Sequence, residues 1–204
     1  INIELNKLQP HPINSEIYIY DKNQQDELIK SISLNGLLEP IVIDKKNTIV
    51  SGHRRFQAIK ELGWEEVDCR LSYFENDTVA LIEMNRYRKK TVKELLNESE
   101  VLTKEYKNQI KKGSPKKNEK RNGKNWSILN VSDKLGVSTT KLKQLKSIQT
   151  YEPELLDDID LGKVSVHSAY SKVRTKYILN GNQDKRNDNH KFRTIFRRAL
   201  KDYS

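Results

Sequence analysis

The chain has 204 residues, with 38 Lys and Arg against 28 Asp and Glu, giving a net charge of +10. No apolar run approaches the roughly 20 residues that a membrane helix needs, and the start lacks the charged-then-apolar pattern of a secretory signal. One cysteine, Cys69, excludes an internal disulfide and a multi-cysteine metal site, so a cytoplasmic, membrane-free setting is expected. The length suits two small domains.

Charge is unevenly placed. Residues 1–110 hold 16 basic and 18 acidic side chains, a net −2, whereas residues 111–204 hold 22 and 10, a net +12. A polyanion such as double-stranded DNA would touch the second half and release counterions. The alternative is a solvated lysine-rich surface.

In chain order, Ile1 to Leu5 alternates like a half-buried strand. Leu28, Ile29 and Ile32 recur at helical spacing between Asp26 and Leu34, and Asn35-Gly36 supplies a stop. Leu37 to Ile43 and Thr48 to Val50 are expected strands joined by a polar turn; Arg54 to Leu62 is a helix stopped by Gly63. Val67 to Leu71 is a further strand and Thr78 to Met84 a short helix. Residues 1–90 therefore predict a small α+β domain.

Residues 91–179 predict an all-α domain. Thr91-Val92-Lys93-Glu94 is a capping box that opens a long helix carrying Val92, Leu95, Leu96, Leu102 and Ile110 on one face. Segment 111–124 has seven Lys and Arg, two Gly and one Pro, and is expected to be a basic linker. Residues 180–204 predict a polar linker and a short helix with Phe192, Ile195, Phe196 and Ala199 on one stripe.

Two segments carry chemistry. Ser51-Gly52-His53-Arg54-Arg55 lies between a strand and a helix, where free backbone N–H groups favour an anion and the arginines offer bidentate donors to phosphate. An ordinary turn with solvated arginines explains the same five residues. From Ser127 to Leu145, the residues Val131, Leu135, Gly136, Val137, Leu142 and Leu145 fill the apolar and turn positions of a helix-turn-helix, with Ser132 where the helices cross. Ser127 and Ser138 are the expected caps. The second helix offers Ser138, Thr139, Thr140, Lys141, Lys143 and Gln144 to DNA, against the alternative of an αα-hairpin that only packs.

Asn35-Gly36-Leu37-Leu38-Glu39-Pro40-Ile41-Val42 and Gly52-His53-Arg54-Arg55-Phe56-Gln57-Ala58 resemble two nucleotide motifs of the ParB family, within the ParB/sulfiredoxin superfamily. Asn85 and Arg88 resemble part of a third, Glu-Asn-x-x-Arg. The segment after the reader helix, Tyr151-Glu152-Pro153-Glu154 then Leu161-Gly162-Lys163-Val164-Ser165, is also similar to ParB. The resemblance implies a ParB/sulfiredoxin-like mixed domain followed by a helix-turn-helix domain. It implies CTP at Gly36, Gly52, His53, Arg54, Arg55, Asn85, Arg86 and Arg88, with Mg²⁺ held through the nucleotide and Asn85. It further implies a homodimeric clamp on DNA, a role in plasmid or chromosome partition, and a partition ATPase as a partner.

Met84 stands where the family has its glutamate, and a thioether neither binds Mg²⁺ nor positions water. The resemblance therefore implies CTP binding with at most weak CTPase activity, and no catalytic residue is assigned. The place of the sulfiredoxin cysteine is taken by Gly52, which removes that chemistry. His11, His53, His167 and His190 show no metal-ligand spacing, so no protein-built metal cluster is expected. The rival readings are a ParB-related repressor with an inactive nucleotide pocket, and a ParB-like nuclease or small-molecule kinase.

Overall fold

The computed structural model describes residues 1–112 and 126–179. The chain divides into two compact units, Ile1–Ser138 and the residues from Thr139 onward. The helices that follow residue 90 are thus shared between the two.

The first unit is built on a five-stranded mixed sheet of order β1-β5-β3-β4-β2. Its strands are β1 (Asn2–Glu4), β2 (Gln9–Pro10), β3 (Ile41–Ile43), β4 (Thr48–Ser51) and β5 (Glu66–Leu71). β1 runs antiparallel to β5, β5 parallel to β3, β3 antiparallel to β4, and β4 parallel to β2. All three residues of β3 are buried, which is why that strand shows no alternation in sequence. Ile41, Ile43 and Ile49 from the sheet close on Ile32, Phe56 and Ile59 from the helices. Cys69 lies in the same core as a small apolar residue.

α1 (Asn14–Ile17) and α2 (Lys22–Asn35) precede β3. Asp21 caps α2 by accepting the Gln24 N–H at 3.1 Å, so this helix starts four residues before the apolar periodicity does. The strand expected from Leu37 shrinks to Ile41–Ile43. Gly36, with φ 72° and ψ −175°, ends α2, and residues 37–40 form a loop.

α3 (His53–Glu61) follows β4, and α4 (Asp77–Met84) follows β5 with Asn76 accepting the Val79 N–H at 2.9 Å. α5 (Val92–Lys112) opens on the expected capping box. The Thr91 hydroxyl oxygen accepts from Glu94 N at 3.1 Å, and Glu94 Oε2 accepts from Thr91 N at 3.0 Å. α6 (Trp126–Leu135) packs on α5 and begins one residue before the expected cap Ser127. Val131, Ser132 and Leu135 are buried, and the turn after α6 is closed by Gly136 N to Asp133 O at 3.2 Å and Val137 N to Ser132 O at 3.0 Å.

The described part of the second unit is helical throughout: α7 (Thr139–Tyr151), α8 (Leu155–Asp160), α9 (Val166–Val173) and a π-helical turn over Arg174–Leu179. Leu142, Leu145 and Ile148 of α7 are buried, as are Ala169 and Val173 of α9, which packs on it. Tyr151 stacks on Tyr177 with centroids 5.2 Å apart, and Glu152 accepts from Lys176 at 2.6 Å and from the Tyr177 hydroxyl at 3.1 Å. Most of the basic linker, residues 113–124, and the expected helix around Phe192 lie outside the described residues. No helix among the described residues is long and apolar enough to cross a membrane.

Thr91→Ala removes one bond of the capping box and should cost about 1 kcal/mol of stability. Glu94→Ala also strands Arg88 and the Ile19 N–H and should cost more, on the order of 2 kcal/mol, both read from urea unfolding followed by circular dichroism.

Candidate nucleotide and nucleic-acid sites

Gly52 joins β4 to α3 with φ 102° and ψ 20°, and Gly36 leaves α2 with φ 72° and ψ −175°. Both conformations strain any residue that carries a Cβ. At Gly52 a Cβ would also meet the Arg55 guanidinium at 3.3 Å, so the backbone there lies directly against that side chain. The first intrahelical bond of α3 is Phe56 N to Gly52 O at 2.8 Å. The N–H groups of His53, Arg54 and Arg55 thus sit at the positive end of the helix, before its hydrogen-bond ladder starts.

Arg55 ties the two glycine segments together. Its Nη1 donates to the Glu39 carbonyl at 2.8 Å, to Glu39 Oε2 at 3.1 Å and to the Pro40 carbonyl at 3.1 Å. Burial depresses its pKa, against the attraction of Glu39. Arg54 turns the other way, onto the start of α2. Its Nη2 donates to the Gln24 carbonyl at 2.6 Å and its Nη1 to Gln24 Oε1 at 3.2 Å. Gln25, fully buried, returns a bond from Nε2 to the Arg54 carbonyl at 3.0 Å. The structure therefore brings Gly52 and Arg55 to the Glu39–Pro40 loop, whereas Arg54 lies at the start of α2 and Gly36 at its other end. Gln24, Gln25 and Glu39 are the partners of these arginines, and sequence reasoning gave none of them a role because polar residues on a helix start or in a loop carry no periodicity.

His53 is neutral. Burial, with the charge of His11 behind it, pushes its imidazole down to about 4. Its Nε2 accepts the His11 backbone N–H at 3.1 Å, so the ring proton sits on Nδ1 and any contact to phosphate is that of a neutral donor.

The third motif stands apart from this cradle in its bonding. Asn85 Nδ2 donates to the Leu81 carbonyl at 2.8 Å and caps the end of α4, which leaves its carboxamide oxygen for a ligand. Arg86 donates to Glu83 at 3.0 Å and to the Asp133 carbonyl at 3.3 Å. Arg88 donates to Glu94 Oε1 at 2.6 Å and lies 4.8 Å over the Tyr18 ring. Glu83 also accepts from Lys134 at 3.3 Å. Burial raises the Glu83 pKa, but the bonds from Arg86 and Lys134 outweigh it and hold the carboxyl below its usual range. Among the described residues no group of three His, Cys, Asp or Glu side chains could hold a metal ion.

On α7, Thr140, Lys141 and Lys143 are exposed and Thr139 and Gln144 half-buried, with Ser138 exposed immediately before the helix. The buried Leu142, Leu145 and Ile148 fix that orientation.

A five-stranded mixed sheet with a glycine-started β4–α3 junction defines the first unit as an α+β domain. Residues 1–86 match the model of the ParB N-terminal domain. It is 39% identical over 90 residues to the nucleoid occlusion protein of Bacillus cereus strain B4264, an alignment covering 41% of this chain and 29% of that one. The nucleoid occlusion protein of Bacillus anthracis strain CDC 684 is 38% identical over the same share of each chain. The chain thus spans under a third of the length of these relatives. Among solved structures, the pNOB8-like ParB N-domain superposes with a TM-score of 0.63, covering 88% of this chain and 77% of that one at 15% identity. The C2221 form of that domain gives 0.59 over 83% and 77%, also at 15% identity, a likeness of fold.

Because the His53 imidazole falls from 6.5 unfolded to about 4 folded, the unfolded chain binds more protons between those values. Stability should therefore fall as pH drops through that window, by on the order of 3 kcal/mol in total. His53→Gln keeps an acceptor for His11 N and should flatten the dependence; thermal unfolding of both proteins from pH 7 to pH 4.5 checks it.

Proposed function

We propose that the chain is a ParB-like, site-specific DNA-binding protein that binds CTP as a clamp switch and acts in plasmid or chromosome partition. The observation that carries this reading is the Gly52 cradle. A left-handed glycine opens α3, three backbone N–H groups precede the helix ladder, and Arg55 links that junction to the Gly36–Pro40 loop. The match of residues 1–86 to the ParB N-terminal domain supports CTP as the nucleotide. Phosphates would sit at Gly52, His53, Arg54 and Arg55, and Mg²⁺ would join them through the free oxygen of Asn85. Arg86 and Arg88 are further candidates, and each would have to leave a carboxylate partner to reach a phosphate.

Double-stranded DNA is the partner of α7 and of the residue just before it. Ser138, Thr139, Thr140, Lys141, Lys143 and Gln144 would face it, lysines at phosphates and Thr or Gln at base edges. The reading includes a homodimer that closes on DNA, and a partition ATPase as an additional partner.

A restriction comes with it. Met84 occupies the position of the family glutamate, and Glu83 is engaged by Arg86 and Lys134. This favours CTP binding without efficient hydrolysis, and it is also the observation that favours a repressor with an inactive pocket.

Calorimetry with CTP and ATP, with and without DNA fragments, separates these readings. CTP binding is expected, and Gly52→Ala should weaken it by about tenfold through backbone strain. No binding of either nucleotide overturns the clamp reading, and phosphate release with Met84 unchanged overturns the restriction. Lys143→Ala should lower the salt dependence of DNA binding by about one ion per site. Gln144→Ala should reduce discrimination between sites by about 1 kcal/mol, and equal affinity for all fragments in both proteins would remove it from base reading.

A further inference from the structure

We propose that Glu83 is a bracket that couples the nucleotide motif at the end of α4 to α6 and the turn leading into the DNA-facing helix. The proposal deepens the reading above and rests on it. Glu83 binds Arg86 at 3.0 Å within its own segment and Lys134 at 3.3 Å on α6. Arg86 itself reaches across to α6, donating to the Asp133 carbonyl at 3.3 Å, and its guanidinium lies 3.8 Å from where a Cβ on Gly136 would stand. Two cations thus meet the C-terminal end of α6, where the helix dipole favours positive charge and the last carbonyls lack intrahelical partners.

The other end of the bracket is stiffly joined to the candidate nucleotide residues. Arg86 N donates to the Glu83 carbonyl at 3.0 Å, and Arg88 N to the Asn85 carbonyl at 3.1 Å, so residues 83–88 form two consecutive closed turns. A ligand that draws on Asn85 or Arg88 moves Glu83 and Arg86 with them. Room for that movement exists, because a cleft of about 760 Å³ lies beside the end of α4, lined by Tyr73, Phe74, Met84 and Tyr106 with Glu83 and Lys134. The carboxylate that sits one position early for metal chemistry is well placed for mechanical coupling. Coupling of this kind is reciprocal, so DNA that fixes the turn shifts nucleotide affinity by the same factor.

The test uses the full chain with Glu83→Gln and, separately, Lys134→Met, both partly exposed positions that leave the core intact. DNA affinity is measured with and without saturating CTP, and hydrogen exchange of amides 132–137 without any ligand. In the unmodified chain CTP should change DNA affinity by about tenfold, a usual size for such coupling. In each variant that factor should fall to within about twofold while CTP affinity without DNA holds, and exchange at 132–137 should quicken. A coupling factor that survives both variants, or exchange that neither changes, overturns the bracket. Calorimetry on the unmodified chain distinguishes the two failures: no CTP binding there overturns the proposed function and the coupling with it, whereas CTP binding with coupling intact in the variants overturns the bracket alone.

Discussion

The buried carboxylate of Glu94 is the point on which the first unit depends. One of its oxygens completes the capping box by accepting from Thr91 N, and the other accepts from Ile19 N at 3.0 Å and from Arg88 at 2.6 Å. With 2% of its side chain exposed, a single carboxylate starts α5, anchors the chain segment after α1 and holds the arginine of the third motif. Glu98, one turn on, repeats the arrangement with Lys90 at 2.8 Å and the Tyr18 hydroxyl at 2.7 Å; burial pushes its carboxyl up, against those two bonds. Removing a charged group from water is costly unless its partners are well placed, and here each oxygen has them. The consequence for function is that Arg88 is not a spare cation. Any ligand that engages Arg88 must compete with a buried carboxylate.

The same economy runs through the cradle. Arg54 and Arg55 sit beside each other on α3, yet one is clamped to Gln24 and the other to the Glu39–Pro40 loop. Their present task is to hold α2 and the loop after Gly36 against the β4–α3 junction. The backbone N–H groups at the start of α3 precede the helix ladder, and the arginines stand as walls around that junction.

Much of this could be read from the sequence. β3, β4, α3, β5 and the capping box at Thr91 appeared where strong local rules apply: apolar runs, glycine stops, and the reciprocal Thr–Glu pattern. Gly36 and Gly52 were legible as backbone positions because few residues tolerate their dihedral angles. Partner choice was not legible. Arg88 could be matched to a motif by spacing, but its pairing with Glu94 joins residues across the start of a helix, and the Tyr18–Glu98 bond spans 80 positions. β2 and α1 escaped because two and four residues are too few for any period to register. The first turn of α2 was missed because Asp21 and the glutamines set it by hydrogen bonding, which hydrophobic spacing does not report.

The strand order has one more consequence. β2 forms one edge of the sheet and pairs with β4 through only two residues, the second of which is Pro10. A proline offers no N–H to an approaching strand, and two residues make a poor template for one. Growth of the sheet from this edge is therefore blocked, and another protein chain arriving on that side meets side chains rather than an open row of backbone donors and acceptors. Protein contacts on that side are therefore made through side chains, which can be made and broken reversibly where an added strand would lock.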